Sequence, residues 1–287
     1  MVTTQSAKTT IFYTQYLGDK VPIYDGTNWT MMTITGGEIS VATTDATKSP
    51  AAIGASKVND WFVWNDAGTI RIGHGPDWTN DTTRAAGTAL VMQNGILLNN
   101  ASITNGPAAS RGTYVGTTRS NASSQLDWIF GALAANGTAG FFGVWNAYNR
   151  VNIASRTADS TDSWTYAVAT TWRAANASAT MRCSIVRGLD EDAVQAIYNA
   201  QTQCGASTAA VAGVGLDSTT AFSGITGLLN VSFATTASIS AIYAGLPGLG
   251  FHFFSANELN STTTASTWYG DNGAAISQSG LIMQFKA

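Results

Sequence analysis

Turn-forming residues recur along this chain at hairpin spacing. Gly18-Asp19, Asp25-Gly26, the tetrad Asn65 to Gly68 and Asn94-Gly95 each interrupt a short alternating run of Val, Ile, Thr and aromatic residues. Asn-Gly and Asp-Gly supply the positive backbone φ that a tight two-residue turn requires, so each interruption folds its flanking runs back as antiparallel strands. Hairpins are therefore predicted over Tyr16 to Ile34, over Asp60 to Gly73 and around LVMQNGILL. The same cadence of about ten residues continues to the end of the chain, which predicts an all-β protein.

Organisation follows from where the cadence loosens. RSNASSQLDWIFGALAANGTAGFFG carries more Gly, Asn and Ser punctuation, and its segment Leu126 to Ala135 admits one or two helical turns. A soft boundary near residues 119–125 then divides a smaller antiparallel β domain (1–120) from a C-terminal β-sandwich of jelly-roll type (121–287). One segment stays open. DEDAVQAIYNAQTQ (Asp190 to Gln203) has the acidic start that suits a helix dipole, yet Val194, Ala196, Tyr198 and Ala200 alternate as in a strand, which is the preferred assignment.

Charge excludes several partners. Only 11% of residues are charged, against roughly 25% in an ordinary soluble protein, and the net charge is −3. Fourteen scattered cations offer no phosphate-neutralising patch, so neither nucleic acid nor an anionic membrane surface is an expected partner. No apolar run approaches the roughly 20 residues of a membrane span, and MVTTQSAKTT lacks the apolar core of a signal peptide. Synthesis in a cytosol, without a cleavable export signal or membrane insertion, is expected. The eight Asn-x-Ser/Thr sequons, including Asn28, Asn100, Asn176 and Asn230, then read as products of an Asn/Ser/Thr-rich surface.

Catalytic patterns are missing from the sequence. His74 and His252 stand apart, Cys183 and Cys204 have no partner at ligand spacing, and no nucleophile elbow or phosphate loop occurs, so no metal, cofactor or catalytic residue is expected. Both thiols read as small buried or half-buried groups. Asp159, Asp162, Glu258 and Asp271 could serve a glycosidase only if two of them met at working separation, and turn-forming Asp is the simpler reading. What remains is aromatic chemistry, with nine Trp on a nearly uncharged scaffold. Trp164 and Trp172 are eight residues apart, so unbroken alternation puts both, with Tyr166, Val168 and Thr170, on one buried face. Trp268 and Tyr269 precede the polar turn Gly270 to Gly273, which predicts accessible rings at a strand end.

WNAYNRV (145–151), DSTDSWTYAVATTWRAANASA (159–179), GLDEDAV, GVGLDSTTA and TWYGDNG occur in that order. Together they resemble a family of virion proteins of tailed bacteriophages and prophages, found as tail-fibre, receptor-binding or head-decorating components. IFYTQYLGDKVPIYDGTNW, VNDWFVWNDAGTIRIGHGPDWTNDTTR and RGTYVGTTR are similar to the preceding segments of those proteins, so the resemblance covers almost the whole chain. It falls on Trp145, Asn146, Tyr148, Asn149 and Arg150, on Asp162, Ser163, Trp164 and Tyr166, on Trp172, Arg173 and Asn176, and on Trp268, Tyr269, Gly270, Asp271 and Asn272. The resemblance implies a non-enzymatic virion protein, surface-exposed and extracellular after lysis, with its N-terminal domain serving attachment or assembly. Its expected partners are copies of itself, a homotrimer by analogy with phage fibres, other virion proteins and a host-surface glycan. The alternatives are a capsid-decorating or tail structural protein without a receptor role, and a capsule-degrading glycosidase. Candidate ligand-binding residues are Trp268, Tyr269, Asp271, Asn272, Trp145, Asn149 and Arg150. WNAYNR itself is preferred as a structural unit, in which Asn amides satisfy backbone groups and Arg150 stacks on an aromatic face.

Overall fold

The computed structural model describes residues 3–229 and 235–287. Asn230, and part of the apolar stretch Leu228 to Leu246, lie outside the described residues. The protein is all-β, with a 3-10 turn at Ala175–Ala177 as the helical element among the described residues. Hairpins form at Asp25-Gly26, at Asn65 to Gly68 and at Asn94-Gly95, but Gly18-Asp19 closes none, because the strand before it, Thr10–Thr14, is captured by Glu38–Ala42. Lys20–Tyr24 pairs with Trp29–Thr33, Val58–Asp66 with Thr69–His74, and Leu90–Gln93 with Ile96–Asn99. Asn94 and Gly95 take φ of 51° and 85°, the two positive values that the tight turn demands. Asp25 Oδ1 accepts the N–H groups of Thr27 and Asn28 and so closes the first turn.

Two large sheets face each other. One contains, in order, Gln5–Lys8, Leu126–Ile129, Gly140–Phe142, Arg182–Arg187, Gly250–Asn260, Ala210–Leu216 and Gly227–Leu229. The other runs Leu133–Ala134, Asn152–Asp159, Gly280–Lys286, Val194–Gln203, Ser266–Tyr269 and Ser163–Tyr166, with Thr236–Gly245 along the second edge of Val194–Gln203. Their inner faces share one core. Ala196, Ala200, Ala210, Ala212, Ala241 and Ala256 leave the space that Tyr198, Trp164, Trp268 and Phe254 fill, the large-against-small interdigitation of a close-packed interior. A third sheet, built on Val58–Asp66 and Thr113–Arg119, packs Trp61, Val63, Ile70 and Ile72 against the Lys20–Tyr24 hairpin in a second core.

Strands are traded between the two halves of the chain. Gln5–Lys8 joins the sheet of Leu126–Ile129, while Val144–Asn146 adds to Thr113–Arg119. The apolar core likewise draws Val58, Phe62 and Tyr114 together with residues as distant as Phe285.

Three local expectations change or resolve. Val194–Gln203 is a strand, because Val194, Ala196, Tyr198, Ala200 and Thr202 all point into the sandwich and both strand edges are paired. Leu126 to Ala135 holds the strands Leu126–Ile129 and Leu133–Ala134 in place of helical turns, since strand partners on both sides capture its backbone. The alternation from Trp164 to Trp172 is broken: the strand ends at Tyr166, Thr170 takes a positive φ of 52°, and Val168 is half exposed. Trp172 is consequently only partly buried, packed on Phe222 above Gly213.

Candidate functional site

WNAYNR begins as a strand and ends as a clamp. Trp145 lies opposite Thr117 on the Thr113–Arg119 strand, and Asn146 opposite Gly116. The Asn146 carboxamide oxygen then accepts the N–H groups of Tyr148 (2.9 Å) and Asn149 (3.0 Å), which turns the chain and leaves Tyr148 57% exposed. Trp145 is buried against Tyr114, and the Arg150 guanidinium sits 5.2 Å above its ring. The guanidinium reaches onward to Glu191 (2.8 Å) and to Asp192, joining WNAYNR to GLDEDAV. Trp145 and Arg150 therefore brace the scaffold. Gly188 of GLDEDAV explains its own lack of a side chain: a Cβ would lie 2.7 Å from the Trp145 ring and would collide with the Tyr114 hydroxyl and Thr117 Oγ1. Gly188→Ala is expected to lower stability by about 1–3 kcal/mol through overpacking, measurable as a shifted urea midpoint.

Asn149 remains at the surface, and two clefts flank it. The first, about 450 Å³, is lined by Tyr13, Gln15, Tyr16, Lys20, Tyr148 and Asn149. The second, about 530 Å³, places Trp128, Gln5, Lys8 and Asp127 on the other side of Asn146 and Asn149. Tyr16 is 72% exposed, and among the described residues the Asn149 carboxamide forms no hydrogen bond. Desolvation, and then the neighbouring Tyr13, push the Tyr148 hydroxyl up to about 12, so it is a neutral donor at physiological pH. Open aromatic faces beside the Asn149 amide, which can both donate and accept, suit a polyhydroxylated ring: the rings cover its C–H faces and the amide addresses its hydroxyls.

The other candidates lie elsewhere. Trp268 is fully buried, which corrects the expectation of an accessible ring. The Ser266–Tyr269 strand is held between Ser163–Tyr166 and residues 201–203, so its inward positions, Ser266 and Trp268, are sealed in the sandwich before the polar turn begins. Tyr269 points outward and donates its hydroxyl to Gln203 (3.1 Å). Asp271 and Asn272 are occupied by the turn, where Asp271 accepts the Gly273 N–H and Asn272 donates its own to the Asp162 carbonyl. None of these four lines the clefts beside Asn149. Sequence reasoning missed Tyr13, Tyr16, Gln15 and Trp128; YTQYLGDK, an aromatic run leading straight into a turn, was the available signal.

Two of the four acids converge. Asn176 donates its side-chain N–H to Asp159 (2.9 Å), and its backbone N–H supports Glu258. Glu258 accepts from the Trp164 indole (2.7 Å) and from Arg173 (2.7 Å), while Asp159 accepts from Asn136 and Thr161. Both carboxyl groups are fully buried, with no open face for a substrate. Asp162 and Asp271 serve the 270–273 turn. His74 and His252 belong to separate networks, and Cys183 and Cys204 are buried and not disulfide-linked. Burial pushes the Cys183 thiol up to about 11. Among the described residues no His, Cys, Asp and Glu cluster could hold a metal ion, and no helix is long and apolar enough to cross a membrane. No protein-family model matches the sequence, and no curated protein matches it either.

Proposed function

We propose that this chain is a non-enzymatic virion protein, a tail-fibre or spike component that attaches a phage to a host-surface glycan through the tyrosine and amide clefts beside Asn149. The observation that carries the reading is the grouping of the exposed Tyr16 and Tyr148 with the half-buried Tyr13 and Asn149 around one cleft. The uncharged, hydroxyl-rich composition suits a particle surface, and the resemblance of WNAYNR and its companion motifs supplies the virion context. Assembly with copies of itself, as a trimer by fibre analogy, and a jelly-roll connectivity for the sandwich belong to the same proposal. A decorating role without a receptor is the second reading, favoured by the exposed apolar side chains of Ile225 and Ile282.

The test is host adsorption and glycan-array binding by Tyr16→Ala, Tyr148→Ala and Asn149→Ala. Each aromatic substitution should weaken binding about tenfold, the effect of removing roughly 1.4 kcal/mol, with little change in melting temperature because the side chains are open. Wild-type adsorption by all three folded variants would remove the clefts from recognition.

A further inference from the structure

Most polar groups that line the cleft beside Tyr148 are already satisfied by the protein. Thr113 donates its hydroxyl to the Pro22 carbonyl, Thr14 donates its own to Glu38, and the Asn146 carboxamide oxygen is taken by the N–H groups of Tyr148 and Asn149. The Gln15 amide nitrogen is enclosed. What remains for a ligand is the Asn149 carboxamide, the hydroxyls of Tyr16 and Tyr148, and the Lys20 ammonium.

Among the described residues Lys20 is the only charged side chain lining this cleft, and it has neither a carboxylate partner nor a hydrogen bond. It opens the strand Lys20–Tyr24 as an exposed position ahead of the buried Val21, so its ammonium stays on the open side. The acids of the neighbourhood are placed elsewhere: Asp19 belongs to the preceding turn, Glu38 holds the Thr14 hydroxyl, and neither lines the cleft. The chain as a whole carries 17 acids against 14 bases, so an acid-free cleft with an unpaired cation departs from its average. The second cleft does not share this bias, because Lys8 is accompanied there by Asp127.

Covering an ammonium with a neutral sugar ring removes water from it and returns only weak hydrogen bonds, whereas a carboxylate or phosphate oxygen returns a charge-assisted one. The tyrosines do not oppose such an anion. Desolvation raises the Tyr13 hydroxyl as it does that of Tyr148, so both stay protonated and neutral. We infer that the tyrosine cleft takes an anionic saccharide, and that Lys20 receives its carboxylate or phosphate group. The sugar ring lies on the open tyrosine faces, its hydroxyls meet Asn149, and the flexible lysine stem brings a point charge to either kind of anion. The inference rests on the glycan reading of this cleft and adds the class of glycan.

The test is a bacterial-glycan array divided into uronate-bearing, phosphate-bearing and neutral oligosaccharides, probed with the full chain and with Lys20→Gln, Lys20→Glu and Tyr148→Ala. The wild type is expected to bind acidic members above neutral ones, and the uronate and phosphate arms separate the two anions. At about 0.01 M salt Lys20→Gln should weaken acidic binding about fivefold, the upper end for an exposed ion pair, and Lys20→Glu should weaken it further. At about 1 M salt, where the screening length falls from about 30 Å to about 3 Å, wild type and Lys20→Gln should converge. Because Lys20 is exposed and unpaired, its variants should keep the wild-type melting temperature, so that lost binding is not lost folding. Neutral members bound as tightly as acidic ones, or acidic binding that Lys20→Gln leaves unchanged, overturns the inference; a loss with Tyr148→Ala in that case leaves the glycan reading standing without it. Binding unchanged in both Tyr148→Ala and Lys20→Gln, or no binding to any member, overturns both.

Discussion

Arg173→Met is expected to destabilise the protein by about 3–5 kcal/mol at pH 8, the cost of leaving a buried carboxylate without its counter-charge. Arg173 binds Glu258 through both Nε and Nη2, lies over the Tyr166 ring at 4.0 Å, and is the partly open member of the pair, whereas Glu258 is fully buried. Burial pushes Glu258 up to about 7, against the opposing pull of Arg173 and the Trp164 indole. A carboxyl group that holds its proton more tightly when folded contributes stability that is complete below its unfolded value of 4.5 and is lost as pH rises through about 7. Removing Arg173 raises Glu258 further, so the deficit of the variant should be largest at pH 8 and shrink toward pH 5, where Glu258 is protonated and neutral. Glu258→Gln should cost less than Arg173→Met at pH 8, because the released guanidinium can turn to solvent. Urea unfolding of the three proteins at pH 5 and pH 8 checks both statements. Equal deficits for Arg173→Met at the two pH values would mean that Glu258 does not change its ionisation between them.

Trp268→Ala should cost about 3–5 kcal/mol, as deletion of a fully enclosed indole does, and Trp164→Ala should fall in the same range. The two rings lie opposite each other in register, and Trp164 also donates its N–H to Glu258. Trp172→Ala should cost roughly half as much, because its partly open ring already loses little water on packing against Phe222. Melting and urea midpoints for the three variants rank them. A Trp268 variant milder than the Trp172 variant would contradict the sealing of Ser266–Tyr269 between its neighbours.

That ranking shows which structural information the residues themselves carried. Turns were legible because positive φ is a local demand, met by Asn94-Gly95 or Asp25-Gly26 whatever surrounds them. The inward set of Val194–Gln203 was legible because alternation over ten residues outweighs an acidic start. Trp268 was misread because burial depends on which strands arrive on either side, and its flanking turn says nothing of Ser163–Tyr166 or Gln203. Trp172 was misread because a single positive φ at Thr170 resets the parity of every residue after it. The site was half legible. Asn149 came from its motif, and the tyrosines that share its cleft arrive from the far end of the chain. The meeting of Asp159 with Glu258 through Asn176 has no local signature at all.

The trading of strands between the two halves sets the order in which the molecule can be built. Gln5–Lys8 has no partner until Leu126–Ile129 exists, and Asn152–Asp159 reaches Val194–Gln203 only through Gly280–Lys286. At ordinary synthesis rates Gln5–Lys8 therefore waits on the order of 10 s unpaired, and the second large sheet lacks its middle until Gly280–Lys286 leaves the ribosome. High contact order of this kind slows refolding and exposes unpaired strand edges meanwhile. Until Gly280–Lys286 docks, the polar Asp-, Asn- and Gly-bearing turns and hydroxyl-rich loops are what separates the unpaired strands of the nascent chain from one another.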